Sequence, residues 1–145
     1  MKAKEIKIKY VREDMERIKA IKNGDWIDLR TGIDLMMRKG DFRLIPLGVA
    51  MKLPENTEAL LIPRSSTFKK YGIIQANSVG LIDETYCGEQ DEWMFPAYAT
   101  KDIVIPKNTR ICQFRIQEHQ PLVTITEVDY LSATSRGGFG STGER

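Results

Sequence analysis

Histidine and cysteine are scarce in this chain, and their scarcity removes whole classes of chemistry. One histidine, His119, and two cysteines, Cys87 and Cys112, occur in 145 residues. A zinc centre built on several histidines is therefore excluded, and a histidine-dependent triad would rest on a residue in the polar run QEHQP, where an exposed loop is expected. The cysteines match no paired metal-ligand spacing, and both are expected to be reduced and structural. Charge of one sign is also lacking: 22 Lys and Arg face 20 Asp and Glu, a net +2. That leaves no broad footprint for duplex nucleic acid and no polybasic membrane anchor. No apolar run approaches the roughly 18 residues that span a bilayer. The opening MKAKEIKIKY alternates lysines where a signal peptide needs an unbroken apolar stretch, so a cytoplasmic location is expected.

What the chain does contain is a series of short strand signatures in a length suited to one domain. KEIKIKY alternates Ile6, Ile8 and Tyr10 with charge, the period-two pattern of a half-buried strand. VREDMERIKAIK then spaces its apolar residues loosely and meets Asn23-Gly24-Asp25, which fits a short helix or a turn-rich connection. WIDLR, GIDLM, FRLIP, VAMKLP, EALLIP, GIIQA, WMFPAYA, DIVIP, RICQFRI and PLVTITEV follow, punctuated by Gly, Pro and Asn. Only RSSTFKKYG, with hydroxyl residues at its start and glycine at its end, reads as a one- or two-turn helix. The pattern predicts an all-β sandwich or barrel, with Pro46, Pro96 and Pro106 at strand ends or edges.

Composition shifts after Ser132 to SATSRGGFGSTGER, with four glycines and one large apolar side chain, Phe139. On composition alone this end cannot pack a core and reads as disordered. The chain thus divides into a β domain over 1–131 and a C-terminal arm over 132–145.

Polar chemistry concentrates in NSVGLIDETYCGE, from Asn77 to Glu89. Val79, Leu81 and Ile82 give it strand character and Asn77, Gly80, Asp83 and Gly88 give it turns, so two short strands around a tight reversal are expected, with Asp83 near the tip. The asparagine amide offers both a donor and an acceptor, as the edge of an imide base requires. An aspartate ionised at pH 7 is already a base.

This segment matches N-x-x-G-x-I-D-x-x-Y-x-G, a signature of the homotrimeric dUTPases, at every fixed position. Four further segments resemble that family's motifs in the right order: TGIDL, PRSS, RICQ and RGGFGSTG. The short spacing of the last, with only Gly137 and Gly138 between Arg136 and Phe139, is similar to the compact dUTPases of Bacillus-type bacteria and their phages. The resemblance implies a jelly-roll-like β subunit with one short helix, assembled as a homotrimer whose active sites are shared between subunits. It also implies hydrolysis of dUTP to dUMP and pyrophosphate with Mg²⁺.

Residue by residue, the resemblance makes Asp83 the base that activates water for attack on the α-phosphorus. Gln113 positions that water or a phosphate oxygen. Asp34 holds the water shell of Mg²⁺, and Arg64, Ser65 and Ser66 contact the phosphates, helped by the start of the short helix. Asn77 and backbone near Gly80 read uracil, while Tyr86 lies beneath deoxyribose. Arg136, Phe139, Gly140, Ser141 and Thr142 of the arm close over a neighbour's nucleotide. Arg110 is expected to be structural, in an ion pair between subunits. Two rivals remain. A dCTP deaminase of the same fold, alone or bifunctional, needs a glutamate in the strand after the Asn77 segment, where Phe95 stands near the expected place and Glu92 close by. A non-catalytic nucleotide-sensing module would lack a catalytic group.

Overall fold

The computed structural model describes residues 3–19 and 25–140. Its strands are β1 (Lys7–Tyr10), β2 (Ile27–Arg30), β3 (Leu35–Met37), β4 (Phe42–Pro46), β5 (Val49–Lys52), β6 (Thr57–Pro63), β7 (Ile73–Gln75), β8 (Gly80–Asp83), β9 (Met94–Ala99), β10 (Ile103–Ile105) and β11 (Arg110–Glu118). One helix, α1 (Thr67–Tyr71), interrupts them. All strand pairs are antiparallel, in sheets ordered β2-β11-β6-β8 and β4-β9-β7 with two smaller pairs, β1-β5 and β10-β3. The all-β expectation holds.

Alternation along these strands supplies the core. β6 reads buried at Thr57, Ala59 and Leu61 and more open between them. Its inward residues meet Phe114 of β11, Leu29 of β2, Ile45 of β4, Ile73 of β7 and Phe95 of β9 in one apolar cluster. Trp93 packs its ring edge-on to Phe114, centroids 5.1 Å apart. Trp93 and Phe114 are each 1% exposed. α1 ends as the sequence indicates: Gly72 adopts φ 65°, and its N–H donates to the Phe68 carbonyl.

Several expectations change. From Val11 to Lys19 the chain forms turns rather than a helix, so the turn-rich reading is the right one there; residues 20–24 lie outside the described residues. Pro96 sits inside β9, the middle strand of its sheet, not at an end. It is tolerated because the β7 ladder stops at Gln75 opposite Ala97, and beyond it only the Pro96 carbonyl is used, by the N–H of Ala76. Simple alternation fails in β11, where a register shift between Arg110 and Cys112 turns both Ile111 and Cys112 into the core. Burial raises the Cys112 thiol far above its ordinary value, and the chain's other cysteine, Cys87, is exposed and free.

The largest departure is PLVTITEV. It has strand patterning but pairs with no strand among the described residues, and residues 120–131 are exposed throughout, with Leu122 and Ile125 almost fully so. The Asn77 segment is not a hairpin either. β8 pairs with the distant β6, turns follow Asp83, and Asp83 is the last residue of a strand rather than a tip. Truncating Phe114→Ala should lower unfolding free energy by about 3–5 kcal/mol in urea titrations at fixed protein concentration, through loss of apolar contacts on Trp93 and the cavity left behind.

Candidate active site

One group of side chains gathers at the end of β6. Asp28 of β2 stands opposite Gln113 of β11, and Gln113 opposite Ile62 of β6, so the ladder places Asp28, Gln113 and the residues after β6 side by side. Asp28 Oδ1 lies 3.3 Å from Arg64 Nε, and Asp28 Oδ2 lies 3.4 Å from Arg110 Nη1. The amide Nε2 of Gln113 donates to the Pro63 carbonyl at 3.2 Å. Within its own chain Arg110 is therefore paired with Asp28. One carboxylate orients two guanidinium groups, leaving a partly exposed cationic corner suited to phosphate.

Beside it, Thr67 accepts from the N–H of Arg64 and donates to the Ile111 carbonyl at 2.6 Å, which ties the turn to β11. Ser66 caps α1 without a side-chain capping bond, and Ser65 is exposed. Because α1 spans only five residues, its dipole is slight; the free backbone N–H groups and hydroxyls of Ser65 and Ser66 carry the polarity.

A second group lies at the end of β8. Asp83 is exposed, and its Oδ1 accepts from the N–H of Thr85 at 2.8 Å. That backbone hydrogen bond, helped by the Thr85 side chain, holds the Asp83 carboxyl below its ordinary pKa. Leu81, Ile82, Tyr86, Trp93 and Met94 wall a groove of about 430 Å³ beside it. The Tyr86 hydroxyl donates to the Glu92 carbonyl at 2.8 Å, and partial burial, followed by the charges of Asp91 and Glu92, raises its pKa. Gly80, at the start of β8, is buried, and a Cβ there would come within 3.2 Å of Leu61 Cβ and 3.3 Å of Gln75 Nε2. A larger residue here would require Leu61 or Gln75 to shift by a few tenths of an ångström. Asn77 is exposed just before it, its carbonyl accepting from Val79.

These two groups do not meet in one chain. Asp83 is opposite Glu58 and Gly80 opposite Leu61, whereas Arg64 follows the far end of β6. Six residues of strand separate Glu58 from Arg64, about 20 Å at ~3.3 Å per residue.

Asp34 is exposed and accepts from the N–H of Lys107 at 2.8 Å, with no ion pair to Arg64 among the described residues. Asp28 is the residue that the sequence reading missed. The signal was present: Ile-Asp-Leu occurs twice, at 27–29 and at 33–35, and only the first aspartate faces Arg64 and Gln113. Arg136 and Phe139 are exposed and Gly140 is described with them, while Ser141 and Thr142 lie outside the described residues. No group of three or more potential metal ligands occurs among the described residues. Mg²⁺ does not require such a group, since it keeps its waters and needs one or two carboxylates beside a nucleotide's phosphates.

The dUTPase family model matches residues 26–143. The chain belongs to the dUTPase family. It is 55% identical over 141 residues to the SPbeta prophage-derived deoxyuridine 5'-triphosphate nucleotidohydrolase of Bacillus subtilis (strain 168), covering 97% of this chain and 99% of that protein. The deoxyuridine 5'-triphosphate nucleotidohydrolase of Clostridium tetani is 36% identical, covering 96% and 97%. In structure the chain is similar to a dUTPase mutant of Staphylococcus bacteriophage 80alpha solved with dUpNHpp, with a TM-score of 0.77 at 18% identity, over 97% of this chain and 99% of that one. A mutant dUTPase of the Staphylococcus aureus phage phi11, whose structure details a structural Mg(II) ion, gives 0.74 at 14% identity, over 89% and 99%. These dUTPase-family neighbours share the jelly-roll-like β fold.

The lowered Asp83 pKa sets a pH expectation for hydrolysis in which this carboxylate serves as the base. A base must be ionised, so a carboxyl below its ordinary value keeps activity at pH values where a free aspartate, titrating near ~3.9, is already protonating. The acid limb of kcat/KM should fall below about pH 4, and a limb near 6 would remove Asp83 as the controlling group.

Proposed function

We propose that this member of the dUTPase family hydrolyses dUTP to dUMP and pyrophosphate in sites shared between subunits of a homotrimer. The observation that carries the proposal is the Asp83 carboxylate, exposed and ionised at the mouth of an apolar groove, with the Arg64 corner too far away in the same chain to serve the same nucleotide. A second copy supplying the corner removes that separation. The exposed apolar segment at 121–130 supports the same assembly, since its Leu122, Val123, Ile125 and Val128 are left uncovered by the described residues of their own chain.

In this site Asp83 accepts a proton from water as the water oxygen bonds to the α-phosphorus and the bond to the bridging oxygen of the β-phosphate breaks. Gln113 positions the water or a phosphate oxygen, and Arg64, Ser65 and Ser66 hold the phosphates. Asn77 and the backbone at Gly80 read uracil, and Tyr86 lies under deoxyribose. Bound Mg²⁺ would neutralise phosphate charge, its water shell held by an aspartate: Asp34 by motif resemblance, Asp28 by its nearness to Arg64. The arm over 132–145 acts as a lid, bringing Arg136, Phe139, Gly140, Ser141 and Thr142 over the nucleotide of a neighbour.

The deaminase alternative loses its glutamate. Both Glu92 carboxylate oxygens are engaged by Arg12, at 2.7 and 3.0 Å, one of them also by the N–H of Gly48, and Phe95 is wholly buried in the core. Binding without turnover is disfavoured by the exposed, ionised Asp83.

Asp83→Asn should still bind a non-hydrolysable dUTP analogue by calorimetry while turnover drops about 10²- to 10⁴-fold; turnover within threefold of the parent would eliminate Asp83 as the base. A mixing experiment checks the sharing of sites. Asp83→Asn and Arg64→Ala, each inactive alone, should regain about a quarter of parental activity when co-refolded in equal amounts, because random assembly leaves that fraction of shared sites with both residues intact. No recovery would place each site within one chain.

A further inference from the structure

The turns after β1 reach a segment that the hydrolytic site depends on. Arg12 forms a two-pronged pair with Glu92, Nε to Oε2 at 2.7 Å and Nη2 to Oε1 at 3.0 Å. The Glu92 side chain is only 12% exposed and accepts a third hydrogen bond from Gly48 N–H at 2.9 Å. The stem of Arg12 passes over Gly32, where a Cβ would come within 2.9 Å of both Arg12 Cδ and the Gly48 backbone nitrogen. On either side the backbone is pinned, Val11 N–H to the Gly48 carbonyl and Trp93 N–H to the Val49 carbonyl. The carbonyl of Glu92, fixed by these contacts, is the acceptor for the Tyr86 hydroxyl.

We propose that Arg12 and Glu92 are positioning residues that set the height of the Tyr86 ring through the Glu92 carbonyl and so determine how strictly the enzyme rejects a 2′-hydroxyl. This rests on the reading of Tyr86 as the surface beneath the sugar. The chemistry favours the role. A bidentate guanidinium–carboxylate pair fixes direction as well as distance, and a partly desolvated one resists displacement by water. The other contact between these segments, Lys9 with Glu89, lies between exposed side chains and fixes little. Tyr86 follows a run of turns rather than a strand, so its ring has no ladder to hold it, and its hydroxyl is the anchor. A shift of the carbonyl by a few tenths of an ångström moves the ring toward or away from the sugar. Asp83 has its own anchors, its carboxylate held by the N–H of Thr85 and its carbonyl by the N–H of Tyr86, so a small tilt of the ring need not displace it.

The test measures kcat and KM for dUTP and for UTP in the full-length Mg²⁺-loaded enzyme, comparing Arg12→Met, Arg12→Lys, Glu92→Gln and Tyr86→Phe. Arg12→Met and Glu92→Gln should raise KM for dUTP and reduce the dUTP-to-UTP ratio of kcat/KM about tenfold, with kcat for dUTP within about threefold of the parent. Arg12→Lys should recover part of the ratio. Tyr86→Phe should reproduce the loss, and the double variant Arg12→Met with Tyr86→Phe should be no worse than Tyr86→Phe alone, because both act through one link. Additive losses, or an unchanged ratio in Arg12→Met and Glu92→Gln, would overturn the clamp. So would failure of every Arg12 and Glu92 variant to fold, which would make the pair a fold contact. Should Tyr86→Ala leave the ratio unmoved, it is instead the sugar reading of Tyr86 that falls.

Discussion

The pairing of β6 on both edges is the constraint on which the arrangement depends. Seven residues, Thr57 to Pro63, are in register with β11 on one side, and four of them with β8 on the other. A slip of one residue would turn Ala59 and Leu61 outward and Glu58 and Leu60 into the core. With the register locked, Asp83 is held at one end of β6 and Arg64 just past the other. The distance between them is a property of the sheet and does not relax through loop motion. A single chain therefore presents an exposed carboxylate beside an apolar groove and a cationic corner beside a glutamine, and keeps the two apart. In the proposed assembly the same rigidity becomes useful, because each half-site is presented on a strand end at fixed geometry and needs only a second copy to face it.

Much of the architecture was legible because it is local. Short apolar runs bounded by Gly, Pro and Asn became strands nearly wherever they occurred, and RSSTFKKYG became one helical turn closed by Gly72. The failures all involve information that pattern does not carry. Which strand pairs with which is non-local, so the Asn77 segment looked like a hairpin although β8 has β6 as its partner. A bulge is invisible to alternation, which would set Ile111 and Cys112 on opposite faces although both are buried. Pro96 reads as an end until one sees that the neighbouring ladder stops beside it.

The candidate site was legible to a different degree. Residue types at motif spacing pointed to Asp83, Tyr86, Arg64 and Gln113, and the structure shows what each leans on: Thr85, the Glu92 carbonyl, Asp28 and Pro63. Those supports come from distant parts of the chain and carry no motif of their own. Asp28 is the clearest case. Two copies of Ile-Asp-Leu six residues apart are equal as strings, and only the ladder that sets Asp28 opposite Gln113 separates them. Arg12 and Glu92, 80 residues apart, are likewise ordinary surface charges until the fold brings them together.

The segment after β11 shows how composition and pattern can each be right and still disagree. Residues 121–130 have strand chemistry, and the residues beyond 132 have the chemistry of a chain that stays open. Among the described residues, 121–130 pair with no strand, and apolar side chains such as Leu122 and Ile125 are left in water, each at a cost of about 1.5–3 kcal/mol relative to burial. A sequence gains nothing by keeping such residues in a free tail. Placed on a neighbour's surface they supply the apolar area that would hold subunits together, and the glycine-rich end beyond them would then start at a fixed point beside a neighbour's nucleotide. The ordering entropy of that end would be spent only when phosphate contacts compensate it, which suits a cover that must also let product leave. In the proposed assembly the apolar segment and the glycine-rich arm would form one device, in which the first part anchors and the second covers the nucleotide.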